Sequence, residues 1–137
     1  MKGIFIEKNL IASNAYKSLK KPQSHNFLIQ FMQKRRLERN GKKKGHERWI
    51  VTNNGQIEFT YEEAKKELGI DKKTFTRAID ELILKGFIDI VHQGGGLCRG
   101  KNLYSISDRW QLYGTDKFIE KHREKRKRIY GYIDKKL

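Results

Sequence analysis

Thr60-Tyr-Glu-Glu-Ala-Lys-Lys-Glu-Leu-Gly-Ile-Asp71 leads into Lys72-Lys-Thr-Phe-Thr-Arg-Ala-Ile-Asp-Glu-Leu-Ile-Leu-Lys-Gly86, then Phe87-Ile-Asp-Ile-Val-His92. After a glycine-rich gap comes Asn102-Leu-Tyr-Ser-Ile-Ser107. Local signals divide this stretch into elements. Thr60 and Glu63 have capping-box spacing, which predicts a helix from Tyr61. Tyr61, Ala64 and Leu68 share one face of it, with Glu62, Lys65, Lys66 and Glu67 outside. Gly69 stops that helix, because glycine takes positive φ without a Cβ clash. Asp71, three residues before Thr74, is a natural N-cap for a second helix. Phe75, Ala78, Ile79, Leu82 and Ile83 then repeat as a buried helical stripe ending at Gly86. Phe87, Ile88, Ile90 and Val91 suit a strand by their β-branched and aromatic content.

The order is helix, tight turn, helix, strand, loop, strand: a helix-turn-helix followed by a β-wing. In such a motif the second helix enters the major groove. Here it spans about 72–85, and its apolar stripe leaves Lys72, Lys73, Thr74, Thr76 and Arg77 facing out near its start. Threonine hydroxyls bond phosphates or base edges, and arginine can grip guanine O6 and N7 as a fork. The helix N-terminus itself attracts phosphate. Asp80 and Glu81, further along, are expected on the helix exterior, away from DNA.

The run Ala64…Leu68-Gly69-Ile70-Asp71…Thr74-Phe75…Arg77-Ala78-Ile79…Leu82…Lys85-Gly86-Phe87-Ile88 resembles the winged helix-turn-helix domains of bacterial and phage regulators and replication initiators. In that family a Leu-Gly-Ile/Val turn links the second and third helices, and a Gly-Phe/Leu-Ile step enters the wing. The resemblance covers roughly residues 25–108. It implies a mainly α fold with a small antiparallel β-wing, that is, an α+β winged helix-turn-helix with a three-helix core. It speaks to the fold and not to the biological role, since the same domain serves repressors, activators, initiators and plain protein contacts.

Working outward, residues 1–21 form an N-terminal arm, with Ser13 placed to cap one or two helical turns. The winged domain is assigned to 22–110. Its first helix is expected to start at Pro22, which suits a first helical turn. The stripe Phe27, Leu28, Phe31, Met32 and Arg35 carries it toward Arg39. Asn40-Gly-Lys-Lys-Lys-Gly-His46 is a loop by composition, and Lys42, Lys43 and Lys44 are candidate phosphate contacts. Trp49–Thr52 and Gln56–Phe59 flank Asn53-Asn54-Gly55, a strong hairpin signal. They are read as a hairpin with one strand joining the wing sheet. The wing loop, 93–101, has four glycines, and Arg99 and Lys101 are placed to reach backbone or minor groove. Trp110 is expected to pack on the core, while Tyr113 and Phe118 either pack beside it or form the face of a homodimer. Residues 111–137 make a basic extension read as helical, with Arg123 and Arg126 as further DNA contacts.

Charge follows the same division. The formal net charge is +15. Residues 34–48 hold eight Lys/Arg against two Glu, and 117–136 hold nine against three acids, +6 in each case. Residues 60–110 are nearly balanced, nine against eight. Such a distribution favours a polyanion and salt-sensitive association. No apolar run approaches the ~18 residues of a membrane helix, and no membrane partner is expected. The single cysteine, Cys98, allows no internal disulfide, and the first ten residues lack an apolar signal core; a cytoplasmic protein is expected. The four histidines are scattered, and no Cys/His pair has metal-site spacing. The lysine loop lacks the P-loop ending, and the wing glycines lack a following helix, so neither nucleotide motif is present. No enzyme, cofactor or metal is implied. Sequence-specific binding of double-stranded DNA is the leading expectation. Binding of RNA or single strands through the basic flanks with Tyr130 and Tyr132, or a protein-interaction role for the fold, are the alternatives.

Overall fold

The structure is a computed structural model and describes residue 4 and residues 6–40, 48–94 and 101–123. Among these residues the chain is mixed α and β, with five α-helices and two separate two-stranded antiparallel sheets. Two short helices come first, α1 (Lys8–Ala12) and α2 (Asn14–Lys17). Ser13 joins them: its hydroxyl accepts from the Tyr16 N–H at 3.1 Å and donates to the Leu10 carbonyl at 2.6 Å. Leu10, Ala15 and Leu19 belong to the main core, so this arm is packed down.

Helix α3 (Ser24–Lys34) follows a turn in which Gln23 takes left-handed backbone, φ 72. A non-glycine residue there is strained, and such strain persists only where the surroundings over-determine it. Glu81 supplies that constraint. Its carboxylate accepts from the Lys20 and Lys21 N–H groups at 3.0 and 2.9 Å and from the Ser24 hydroxyl at 2.7 Å. Glu81 is therefore buried and structural, not on the helix exterior where the stripe had put it.

Helix α3 also ends earlier than its periodicity predicts. Arg35 turns extended, and the Asn53 side chain clamps the exit, donating to the Lys34 carbonyl at 2.9 Å and accepting from the Arg36 N–H at 2.8 Å. Leu37–Asn40 is instead strand β1, paired antiparallel with β2 (Arg48–Val51). The expected hairpin of Trp49–Thr52 with Gln56–Phe59 is thus corrected. Strand β2 already has its partner upstream, and the Asn53–Gly55 turn redirects the chain rather than folding it back on itself. After that turn Ile57 forms a single isolated antiparallel bridge with Tyr104, which ties this segment to the later hairpin without making it a strand.

Helix α4 (Tyr61–Leu68) begins where Thr60 Oγ1 accepts from the Glu63 N–H at 3.2 Å. The Glu63 carboxylate does not complete a capping box; it pairs with Lys34 on α3. Gly69 ends α4 in the left-handed region, φ 67, and Asp71 caps α5 (Lys72–Leu84) through the Thr74 N–H at 2.9 Å. The aromatic centre of the core joins α3, the chain before α4, and α5. Phe27 lies 4.9 Å from Phe59 and 5.5 Å from Phe75, ring to ring, and Phe31 lies 5.2 Å from Tyr104. Strand β3 (Ile88–His92) then pairs with β4 (Leu103–Ile106), and Asn102 Oδ1 accepts from the Gly94 N–H at 2.7 Å at the hairpin's loop end. A short 3-10 turn, Arg109–Leu112, closes the core with Trp110 stacked on Phe87. Residues 113–123 run on as turns and irregular chain, and the rest of the expected basic helix lies outside the described residues.

Candidate nucleic-acid interface

The candidate surface is the outer side of α5, and the core dictates which residues reach it. Phe75, Ala78, Ile79, Leu82 and Ile83 are buried, which rolls Lys72, Lys73 and Arg77 into solvent. Among the described residues these three form no side-chain hydrogen bond or ion pair. Lys73 and Arg77 are one turn apart on the same face, with Thr76 half-buried beside them. Thr74 differs from its neighbours. It is half-buried and its N–H donates to the Asp71 carboxylate at 2.9 Å, and bonding to Thr74 holds that carboxyl below its ordinary pKa. One of the first-turn N–H groups, that of Thr74, is therefore taken by a carboxylate.

The remaining expected contacts divide. Lys101 is exposed at the loop end of the β3–β4 hairpin but rests 3.2 Å from Glu58, an open surface pair that a stronger anion can displace. Arg123 is brought to α5, where its Nε donates to Asp80 at 2.9 Å. It neutralises the one acidic side chain among the exposed or half-buried residues of α5, rather than standing free as a phosphate contact. Lys42, Lys43, Lys44, Arg99 and Arg126 lie outside the described residues, as do Tyr130 and Tyr132.

Sequence reasoning missed the residue that braces this surface. The Arg109 guanidinium donates to Asp89 at 2.6 Å and to the carbonyls of Ile83, Ile88 and Ile119 at 2.9, 3.2 and 2.8 Å. One side chain so ties the end of α5, the start of β3 and the segment leading to Arg123. An arginine in a helix-entry run carries no periodic signal, and its role emerges only when those elements meet. Among the described residues no group of three or more His, Cys, Asp or Glu is placed to hold a metal ion, and no helix is long and apolar enough to cross a membrane. No family model matches the chain, and no curated protein or solved structure matches it, so the functional reading rests on this geometry.

Proposed function

We propose that the chain is a winged helix-turn-helix protein that binds double-stranded DNA in a sequence-specific way, as a transcriptional regulator or a plasmid or phage replication initiator. The observation that carries this reading is the two-sidedness of α5. One side is locked into the aromatic core. The other presents Lys72, Lys73, Thr76 and Arg77 to solvent, with Asp80 neutralised by Arg123. The order of elements supports it: α3, the Ile57 bridge, α4, a glycine turn, α5, then an antiparallel hairpin bonded back to the Ile57 segment. In the major groove, Lys72 and Lys73 hold phosphates, and Arg77 and Thr76 read base edges. The β3–β4 hairpin lies on the backbone or in the minor groove, with Lys101 released from Glu58.

Fluorescence anisotropy with labelled duplex DNA, single-stranded DNA and RNA, titrated across salt, tests this. Duplex preference with a steep salt slope is expected, followed by enrichment of one duplex sequence from a random pool. Absence of salt-dependent binding to any of them would leave the fold as a protein-interaction module.

A further inference from the structure

The β1–β2 hairpin has no part in the reading above, yet it carries the most exposed large aromatic among the described residues. Trp49 is 63% exposed, whereas Trp110, the other tryptophan, is 6% exposed and stacked on Phe87. Arg39 is the direct cross-strand partner of Trp49, so the two side chains leave the same face of the ribbon. The next pair inward on that face, Leu37 and Val51, is half-buried. The hairpin thus runs from an apolar root to an outer Trp–Arg pair. The segment that builds it, 37–51, holds five Lys/Arg against two Glu, a net charge of +3.

Beside Trp49 opens a cleft of about 390 Å³, whose lining includes the apolar Leu37, Val51 and Trp110 and the charged Glu7, Arg35 and Asp108. Two carboxylates next to one guanidinium do not suit a phosphate. They do suit an uncharged base, whose edge both donates and accepts hydrogen bonds. A base in a duplex is paired and stacked, and its flat face is not available to a ring. An unpaired base offers that face, and stacking on an aromatic is worth enough to hold it.

We propose that this hairpin is a second nucleic-acid site that takes unpaired DNA. One base stacks against the Trp49 indole at the mouth of the cleft, and Arg39 holds an adjoining phosphate. The choice of DNA over RNA rests on the proposed function, which places duplex DNA on the same molecule. The stacking site itself does not depend on α5.

The test uses the full chain and an oligothymidylate of about 12 nucleotides, within the span of known single-strand sites. Oligothymidylate is expected to quench the tryptophan emission of the wild-type protein. It is expected to quench far less in the Trp49→Tyr chain, whose one tryptophan, Trp110, lines the inner wall of the cleft but is only 6% exposed. By anisotropy Trp49→Ala loses about tenfold in affinity, and Trp49→Tyr, which keeps a ring, stays close to wild type. Arg39→Ala lowers the salt slope by about 0.7, the value for one single-strand phosphate. Absence of quenching in the wild type overturns the proposal, and that measurement stands even if Trp49→Ala fails to fold. Wild-type affinity in a folded Trp49→Ala chain overturns it too. Equal quenching by a duplex of the same length would overturn the requirement for an unpaired base, and tighter binding of oligouridylate would overturn the choice of DNA. Arg77→Ala is the separate control. A change in duplex preference without a change in quenching belongs to α5 alone, so the two readings fail independently.

Discussion

Arg77 and Lys73 sit one turn apart on α5, equally exposed, and differ in what they can tell a sequence. A guanidinium fork matches the two acceptors of guanine, whereas an ammonium is a point charge that any phosphate satisfies. Arg77→Ala is expected to cost about 1–3 kcal/mol at the preferred site and to flatten discrimination, measured as the ratio of preferred to scrambled duplex affinities. Lys73→Ala is expected to weaken both alike and to reduce the salt slope by about one. Equal losses for Arg77→Ala on both duplexes would remove it from base reading. Glu81 shows a different use of charge. Burial by itself raises its pKa, but the donors from Lys21, Ser24 and Lys20 outweigh burial and hold it below the ordinary glutamate value. A depressed carboxyl stabilises the fold at neutral pH, and that contribution is lost as pH falls through its depressed folded-state pKa. Glu81→Gln keeps the shape and surrenders the charge-assisted bonds. It should lower stability by about 1–3 kcal/mol at pH 7 in a denaturant titration, with the gap to wild type closing in acid. A gap that is constant with pH would show that packing alone matters there.

At the scale of elements, the corner between α5 and β3 depends on Gly86. Its φ is +92, and a Cβ there would meet the Trp110 nitrogen at 2.7 Å and the Arg109 carbonyl carbon at 2.9 Å. Both are backbone atoms and cannot swing aside. The Gly86 carbonyl also accepts from the Trp110 N–H at 3.1 Å. Gly86→Ala should therefore cost more than the ~1 kcal/mol of a simple glycine effect and pull Trp110 off Phe87. A lowered melting temperature with a red-shifted tryptophan emission checks this, and an unshifted Tm would show that the corner adjusts. Gly86, Gly69, Thr60 and Asp71 were all legible beforehand because their work is local: a cap or a positive φ is set by neighbours within a turn. The end of α3 was not. Leu37 continues a helical stripe when read along the chain, and only Asn53, arriving from sixteen residues past Leu37, turns the backbone out at Arg35. The hairpin error has the same origin, since Asn-Gly marks a turn without saying which strands it joins. Of the candidate interface, the exposed face of α5 was readable from its period. The Thr74–Asp71 engagement, the Asp80–Arg123 pair and the Arg109 brace were not, because each needs a partner placed by the fold.

At the scale of the whole molecule, the C-terminal segment edits the charge of the helix it crosses. Residues 118–123 are anchored by Arg109 on the Ile119 carbonyl, with the Lys121 ammonium 3.8 Å from Asp89, and they deliver Arg123 to Asp80. Left bare, Asp80 would set a negative charge on the face proposed to meet phosphate. Arg123→Ala is expected to weaken duplex binding by roughly 0.5–1 kcal/mol, the scale of a partly exposed ion pair, and less at high salt. The cause is separable from a direct phosphate contact by a double-mutant cycle. If Arg123 acts by masking Asp80, adding Asp80→Asn to Arg123→Ala returns affinity close to wild type, and Asp80→Asn alone raises it by freeing a cation. If Arg123 instead grips phosphate itself, the double variant stays as weak as Arg123→Ala. Affinity measured by anisotropy on one duplex at two salt concentrations decides between them, and a double variant as weak as Arg123→Ala would sink the masking role.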